Sequence, residues 1–281
     1  MASVAPWRTR GNRRHKKILR FLTNRVYFAF PRLNETVQGI LCRKEIKIVK
    51  FDQNLIEGTL VRRYKRFLAD VVLESGEEIT AHCANPGSML GCSEPGSKVL
   101  LSLQSNPKRK FKHQLEIVYN GRTPIGVHTG RPNAIVAEAI MKGKIPEVAG
   151  YATMRREVPY GKNSRIHILL EGNGLRSCYV EVKNVSMARE NVAYFPDSKT
   201  ERGTKHLNEL ANIVREGHRA MVIFLAQRGD VRGFKPADDI DPDFAEALRD
   251  ASARGVELLC FRSKVSKKGI EFEKAIDLEL N

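Results

Sequence analysis

The hydrophobic pattern of this chain changes near residue 131, and the change divides the fold into two parts. Before it, short apolar runs alternate with turns; they lie at residues 67–73, 79–83, 98–103, 115–119 and 125–128. Short strands at this spacing are typical of a small barrel, and an oligonucleotide-binding (OB) barrel is a natural candidate. After it, strands alternate with helices, which indicates an α/β domain with a mixed sheet. We therefore predict three segments: a basic extension at 1–45, an OB-like barrel at 46–130 and an α/β domain at 131–281.

Beyond residue 131, the spacing of apolar residues predicts three helices and four strands. The helices are predicted at residues 134–140, 200–216 and 242–254, and the strands at 165–170, 179–185, 221–226 and 256–261. Asn133 is a suitable N-cap for the first helix, and Gly217 closes the second. The second helix carries an apolar stripe at helical spacing, which predicts a core-facing side. The stripe consists of Gly203, Leu207, Leu210, Ala211 and Val214.

The net charge of +16 is concentrated at the N-terminus. Residues 1–45 hold eleven Lys and Arg against two acids, so they contribute +9 and the remaining 236 residues contribute +7. Because these 236 residues are also basic, they favour a polyanionic partner such as nucleic acid. A solvated surface that is merely basic would give the same composition.

The basic extension has three competing interpretations. Arg20 and Arg25 interrupt its apolar run, so it lacks the apolar core of a secretory signal. Its composition suits an organelle transit peptide, a basic arm for nucleic acid or a membrane surface, or an extension from an upstream start codon. We favour the last, because a convincing domain begins only near Ile46. We expect the segment to be poorly ordered.

Composition places the body among soluble globular proteins. Hydrophobic residues make up 42% and charged residues 28%. No apolar run approaches the ~20 residues that span a bilayer, so we predict no membrane partner. The five cysteines are scattered, with no pair at metal-ligand spacing, which fits reduced thiols. The odd number of cysteines fits a reducing, cytoplasmic location.

A strand at residues 179–185 carries the chemistry of greatest interest. Glu181 and Lys183 are two residues apart, so on a strand they share one face. A carboxylate beside an ammonium is half of a metal-dependent nuclease site, in which Glu181 would bind Mg²⁺ and Lys183 would steady the attacking water or the phosphate. An ordinary ion pair on a half-exposed strand would have the same pattern. Both residues are therefore candidate catalytic residues.

Two basic clusters in the barrel segment are candidate nucleic-acid contacts. Each combines cations with an aromatic residue, a mixture that suits a phosphate groove with a stacking platform. The cations are Arg62, Arg63, Lys65 and Arg66 in the first cluster and Lys108, Arg109 and Lys110 in the second. Ordinary charged loops are the alternative interpretation.

The helix predicted at 200–216 presents a third basic surface. Arg202, Lys205, His206 and Glu209 fall on one face by their spacing. The three basic residues lie in the first two turns, where the helix dipole and free N–H groups add positive potential. This surface is a candidate phosphate seat, and a solvated helix face is the alternative.

Four motifs resemble those of the sugar fermentation stimulation protein (SfsA) family, and they occur in the same order as in that family. They lie at residues 62–71, 81–89, 179–185 and 195–207, and the resemblance runs from about residue 48 to the C-terminus. It implies an OB-like domain followed by a domain similar to PD-(D/E)xK nucleases. It also implies DNA binding, and the family name suggests a role in regulating sugar-utilisation genes.

The resemblance also exposes a departure at His167. The nuclease-like pattern expects an aspartate on the strand before Glu181, and this chain has His167 there. Mg²⁺ prefers hard oxygen ligands, whereas imidazole suits Mn²⁺ or Zn²⁺ better. Glu138 and Asp197 are the carboxylates that would complete a metal site with Glu181. We thus expect a divalent metal, Mg²⁺ or Mn²⁺, only if the site cleaves, and none for binding.

Two functions follow from the sequence. The first is a DNA-binding protein on a nuclease-like scaffold, with salt-sensitive backbone contacts and little sequence preference. The alternative is a metal-dependent nuclease or DNA-processing enzyme of PD-(D/E)xK type. A weaker third option is an RNA-binding module built on the barrel.

Overall fold

The barrel and the α/β domain occur in the predicted order, and the fold prediction is confirmed. The computed structural model describes residues 50–51, 54–161 and 164–281. The predicted basic extension at 1–45 lies outside the described residues, as does the beginning of the predicted barrel segment.

The first domain is a closed barrel of five strands. They are β1 Ile56–Tyr64, β2 Leu68–Leu73, β3 Glu78–His82, β4 Lys98–Leu103 and β5 His113–Asn120. Neighbours pair antiparallel in the order β3-β2-β1-β4-β5, and a parallel pairing between His82 and Gln114 joins β3 to β5. A further strand, β6 Thr123–Gly126, pairs antiparallel with β5. The closed barrel encloses one cluster of buried apolar side chains. Closure also leaves few free strand edges.

The strand β1 is absent from the sequence prediction. Its second half contains Arg62 and Arg63, and the register shifts between Leu60 and Arg62. This bulge breaks the alternation of apolar and polar residues that identifies a strand. Arg62 and Arg63 therefore lie within a strand rather than in a loop.

The second domain is built on a six-stranded mixed sheet. Its strands are β7 Thr153–Tyr160, β8 Ser164–Glu171, β9 Cys178–Val185, β12 Arg219–Ala226, β14 Glu257–Ser266 and β15 Gly269–Ala275. Their order is β15-β14-β12-β9-β8-β7. Only β9, β12 and β14 run parallel to one another. The side chains of β9 alternate between two apolar clusters, so both faces of the sheet are covered.

Three helices cover the two faces. They are α1 Arg131–Met141, α2 Glu201–Arg215 and α3 Pro242–Ala253. Apolar residues of α1 pack against Val180 and Val182, whereas α2 and α3 pack on the opposite face against Val222 and Phe224. Residues Glu181 and Lys183 therefore belong to the α2 side of the sheet.

The helix ends differ in part from the predicted ends. The N-cap of α1 is Gly130 rather than Asn133, because Pro132 already fits the first turn. Thr200, predicted as the first residue of the helix, instead caps α2 by accepting a hydrogen bond from the Gly203 amide.

A second, four-stranded sheet was not predicted. It consists of β10 Ala188–Arg189, β11 Val192–Phe195, β13 Gly233–Pro236 and β16 Asp277–Leu278, in that order. Runs of two to four residues are too short to show a period of two. The sheet matters here because the segment between β11 and α2 borders the cleft described below.

Glu116, Gly126 and Asp197 make three of the contacts between the barrel and the α/β domain. The Glu116 carboxylate, which is 1% exposed, accepts two hydrogen bonds from the Arg131 guanidinium at 2.7 and 2.5 Å. The Gly126 amide donates to the Gln227 carbonyl at 2.8 Å. The third contact, through Asp197, borders the candidate site. A bidentate buried ion pair fixes geometry as well as charge, so the two domains present a defined surface.

In the described part of the chain, no helix is long and apolar enough to cross a membrane. The four described cysteines are buried and unpaired.

Candidate nucleic-acid interface

Glu181 is the centre of a buried polar cluster on β9. Its Oε1 atom accepts hydrogen bonds from Lys183 Nζ at 2.8 Å and from His206 Nδ1 at 2.7 Å. The third neighbour is His167 on β8, whose Nδ1 lies 3.2 Å from Oε2. We call these four residues the Glu181 cluster. The Glu181 side chain is 1% exposed, so the cluster lies beneath the surface.

The Glu181 carboxylate is ionised despite its burial. Burial raises its pKa, but the charge of Lys183 and the hydrogen bond from His206 outweigh that effect and hold the pKa of Glu181 at about 2. A carboxylate in such surroundings stays charged because its partners donate to the charged form. Neighbours within the protein therefore compensate its negative charge.

His167 takes part in the cluster as a neutral acceptor. Its Nδ1 atom accepts a hydrogen bond from the Val182 amide at 2.9 Å. That bond occupies the lone pair of Nδ1, so the ring cannot also bind a cation there. Burial lowers the pKa of His167, which favours the neutral ring. Consequently Glu181 Oε2 has no hydrogen-bond partner among the described residues.

Glu138 lies on the other side of the sheet from Glu181. It belongs to α1, where its carboxylate pairs with Lys142 one turn later. It borders a separate cavity that also contains Ile270 and Phe272. The sequence could not fix this side because helix spacing does not say which face of the sheet α1 covers.

Asp197 joins the two domains rather than the Glu181 cluster. Its Oδ2 accepts from the Met89 amide at 2.8 Å, and its backbone carbonyl accepts from the Ser88 hydroxyl. Gly87 lies so close that a Cβ there would be 2.4 Å from Oδ1. One carboxylate oxygen is therefore held by the barrel loop, and Asp197 also lines the cleft described below.

The donor set does not fit the magnesium site of a nuclease. Mg²⁺ needs several hard oxygen ligands in octahedral geometry. Within the described ranges, no three His, Cys, Asp or Glu side chains converge so as to hold a metal ion. The Glu181 cluster supplies one available carboxylate oxygen among nitrogen atoms, and one of these, His167 Nδ1, already accepts a hydrogen bond. Neither Glu138 nor Asp197 completes it.

The predicted basic face of α2 divides into exposed and buried parts. His206 is 5% exposed and bonded to Glu181, so it supports the cluster and is not a phosphate contact. Arg202 is exposed, and its Nε donates to His206 Nε2 at 3.4 Å. Lys205 is half exposed, with Glu209 3.7 Å away. The helix wheel alone could not show that His206 faces a carboxylate on β9.

In the first basic cluster of the barrel, two of the four cations have partners within the protein. The Arg63 guanidinium donates to the carbonyls of Asn85, Gly87 and Ser88, so it holds the barrel loop in place. Arg62 pairs with Asp70 at 2.9 Å, which neutralises its charge.

The remaining cations of that cluster face solvent. Lys65 and Arg66 are exposed and form the turn between β1 and β2, both with positive φ. Arg66 donates to the Pro86 carbonyl, and no carboxylate pairs with it among the described residues.

The second basic cluster lies at the same end of the barrel. Lys108 and Lys110 are exposed, and Lys110 lies over the Phe111 ring at 5.5 Å. The Arg109 guanidinium donates to the side-chain oxygens of Gln104 at 2.6 Å and Gln114 at 3.3 Å. These amides are neutral, so Arg109 also keeps its charge.

A cleft of about 230 Å³ lies between the barrel and the α/β domain. From the barrel, Arg66 and Asn85 line it; from the other domain, Lys199 and the first residues before α2 line it. Lys199 is exposed and has no acidic partner in the described part of the chain. The cleft thus brings cations of two distant sequence segments to one surface.

Sequence reasoning missed Lys199 and two aromatic residues of the barrel end, Phe67 and His82. Lys199 lies next to the N-cap Thr200, and that position was a usable signal. Phe67 was read as the first residue of a strand, although it follows the turn and is exposed.

Two family models match the chain. The SfsA N-terminal OB domain matches residues 61–127, and the sugar fermentation stimulation protein RE domain matches residues 130–269. The two matches follow one another in the order of the barrel and the α/β domain.

Named relatives agree with the models. The sugar fermentation stimulation protein homologue of Paramagnetospirillum magneticum is 49% identical over 232 residues, which cover 83% of this chain and 98% of the relative. That of Thioalkalivibrio sulfidiphilus is 51% identical over 235 residues, covering 83% and 99%. A solved structure of Pyrococcus furiosus SfsA in complex with Ca²⁺ has a TM-score of 0.74 at 26% identity, covering 80% of this chain and 96% of that chain.

Proposed function

Because the chain belongs to the sugar fermentation stimulation protein (SfsA) family, we propose that it binds DNA along the cleft between its two domains, largely without sequence preference. The observation that carries the proposal is that Arg66 of the barrel and Lys199 of the α/β domain line one cleft. Neither cation has a carboxylate partner in the described part of the chain. A surface of this kind matches a phosphate backbone.

The surroundings of the cleft strengthen its positive potential. Arg202 lies in the first turn of α2, and the N-terminal end of that helix adds the partial positive charge of its backbone amides. Lys65 continues the charge on the barrel side. Contacts to phosphates fix position but carry no base sequence, which is why we expect little preference.

The Glu181 cluster fits binding better than cleavage. Glu181 would normally repel a phosphate, but Lys183 forms an ion pair with it and His206 donates a hydrogen bond to it, both from within the protein. The cluster then stabilises the part of β9 beside α2.

Fluorescence anisotropy with a labelled mixed-sequence duplex tests the proposal. Arg66→Gln and Lys199→Gln each remove one phosphate contact, which weakens binding roughly eightfold near 0.1 M salt. Arg176→Gln is the matched control: it removes an exposed cation from the segment before β9, at the amino end of that strand. The cleft lies at the carboxyl end, roughly 25 Å away at the rise of a strand.

We expect the control to bind like the wild type and duplexes of unrelated sequence to bind within about threefold of each other. Wild type that fails to bind duplex DNA at low salt would refute the proposal. So would Arg66→Gln and Lys199→Gln variants that bind like Arg176→Gln.

A metal-dependent nuclease is the second candidate, and two observations favour it. The solved relative is in complex with Ca²⁺, and Glu181 Oε2 lacks a partner among the described residues. Incubating single- and double-stranded DNA with Mg²⁺, and separately with Mn²⁺, tests it. Cleavage by the wild type that disappears in Lys183→Ala would establish a nuclease, whereas equal cleavage by both proteins would indicate contamination.

The family name also suggests a role in regulating sugar-utilisation genes. If DNA binding has that role, deleting the gene should change transcript levels of such genes, and Arg66→Gln/Lys199→Gln should fail to restore them. Restoration by this double variant would show that regulation does not depend on the cations of the cleft.

A further inference from the structure

The open end of the barrel carries an exposed aromatic pair. Phe67, directly after the β1–β2 turn, is 43% exposed. Its ring is nearly parallel to that of His82, with an interplanar angle of 8° and centroids 6.3 Å apart. That separation exceeds the ~4.5 Å of a close offset stack, so the rings shield little of each other's faces.

A buried amide fixes His82 beside a cation. Gln114 is 2% exposed, and its Oε1 lies 2.9 Å from His82 Nδ1 and 3.3 Å from Arg109 Nη2. Its Nε2 donates to two backbone carbonyls, which fixes the orientation of the amide. Phe67, His82, Gln114 and Arg109 therefore form a connected row, which we call the aromatic row.

The aromatic row is continuous with the proposed DNA cleft. Arg66 precedes Phe67 in the chain and lines that cleft. On the other side, the loop that carries Arg109 also places Lys108 and Lys110 in solvent. An apolar ring is thus flanked by cations on both sides.

We propose that the aromatic row binds an unpaired nucleotide of single-stranded DNA, with its base stacked on Phe67 and its phosphate beside Arg109. This inference rests on the DNA-binding function proposed above and adds a substrate class to it. A base inside a duplex is already stacked on its neighbours, so only an unpaired base offers its face to a protein ring. The cations on either side match the charge of the flanking phosphates.

Other exposed apolar residues lack these surroundings. Leu175 is 46% exposed, yet it lies in the turn before β9, at the amino end of that strand, whereas the cleft lies at the carboxyl end. Single exposed apolar residues are normal on protein surfaces. Leu175 therefore offers a matched control for the removal of Phe67.

The test compares Phe67→Ala, Phe67→Trp and Leu175→Ala on a single-stranded oligonucleotide and on its duplex. Anisotropy gives the affinities, and the fluorescence of a 2-aminopurine in the single strand reports stacking. Loss of one stacked base should weaken single-strand binding by about tenfold in Phe67→Ala. Phe67→Trp should retain binding and quenching, and Leu175→Ala should behave as the wild type. Duplex binding should be unchanged in all three.

The inference is overturned if Phe67→Ala binds the single strand as tightly as Leu175→Ala, or if the wild type shows no quenching on binding. Wild type that binds duplex but no single strand also overturns it, while leaving the proposed function intact. Wild type that binds neither DNA refutes both. Because Phe67 is exposed, the Ala variant should fold, and circular dichroism verifies this.

Discussion

Replacing Glu181 with Gln should make the stability of the protein less sensitive to acid. Glu181 is a buried carboxylate whose charge is held by Lys183 on its own strand and His206 on α2, with the neutral ring of His167 on β8 beside it. Tyr160 on β7 is a further titratable group near it, and burial together with Glu181 raises the pKa of its hydroxyl. The Gln variant keeps all four neighbours but cannot ionise.

The size of the effect follows from the pKa of Glu181. It is 4.5 in an unperturbed chain and about 2 in the folded protein. At roughly 1.4 kcal/mol per pKa unit, the ionised form stabilises the fold by about 3 kcal/mol near neutral pH. Because the unfolded chain takes up the proton at higher pH, this contribution is complete above about pH 4.5 and decreases as the pH falls towards 2. About 2 kcal/mol of it is lost between about pH 7 and about pH 3.

Urea unfolding of the wild type and Glu181→Gln at several pH values measures this difference. The advantage of the wild type should shrink by about 2 kcal/mol from about pH 7 to about pH 3. Glu171→Gln is the control, since Glu171 pairs with Arg155 near the surface of β8 and such pairs contribute about 1 kcal/mol or less. An advantage over Glu181→Gln that stays constant across this range would refute the reasoning.

Two further predictions concern the contacts between the domains. Glu116→Gln weakens the buried pair with Arg131 and should lower the free energy of unfolding by about 3 kcal/mol, measured by urea unfolding. The control is Glu273→Gln, which weakens the surface pair between Glu273 and Arg262 and should change that free energy by less than about 1 kcal/mol. Gly87→Ala should lower the thermal unfolding midpoint, because its Cβ would lie 2.4 Å from the Asp197 carboxylate that anchors the barrel loop; the loss should be about 1–3 kcal/mol, and an unchanged midpoint would contradict this packing.

Alternation along one strand was enough to place Glu181 and Lys183 on the same face of β9. The same reasoning located α2 and its apolar stripe, because 15 residues give a clear helical period. The predicted barrel emerged from short alternating runs, although β1 was missed where its bulge interrupts the pattern. Most of the fold can therefore be predicted from the local periodicity of apolar residues.

The candidate site was harder to predict because its contacts join distant parts of the chain. Asp197 bonds to Met89, 108 residues earlier, and His206 bonds to Glu181, 25 residues earlier. Spacing assigns such residues to a face but does not identify the group they meet. For that reason His206 was predicted as a phosphate contact and Asp197 as a metal ligand, whereas the structure places both in hydrogen bonds within the protein.

The salt dependence of duplex binding tests the cleft most directly. Each phosphate contact contributes roughly −0.9 to the slope of log K against log salt concentration. Arg66→Gln/Lys199→Gln removes one cation from each wall of the cleft, so its slope should be shallower than that of the wild type by about 1.8. A double variant with the wild-type slope would contradict the proposal that DNA lies in the cleft between the barrel and the α/β domain.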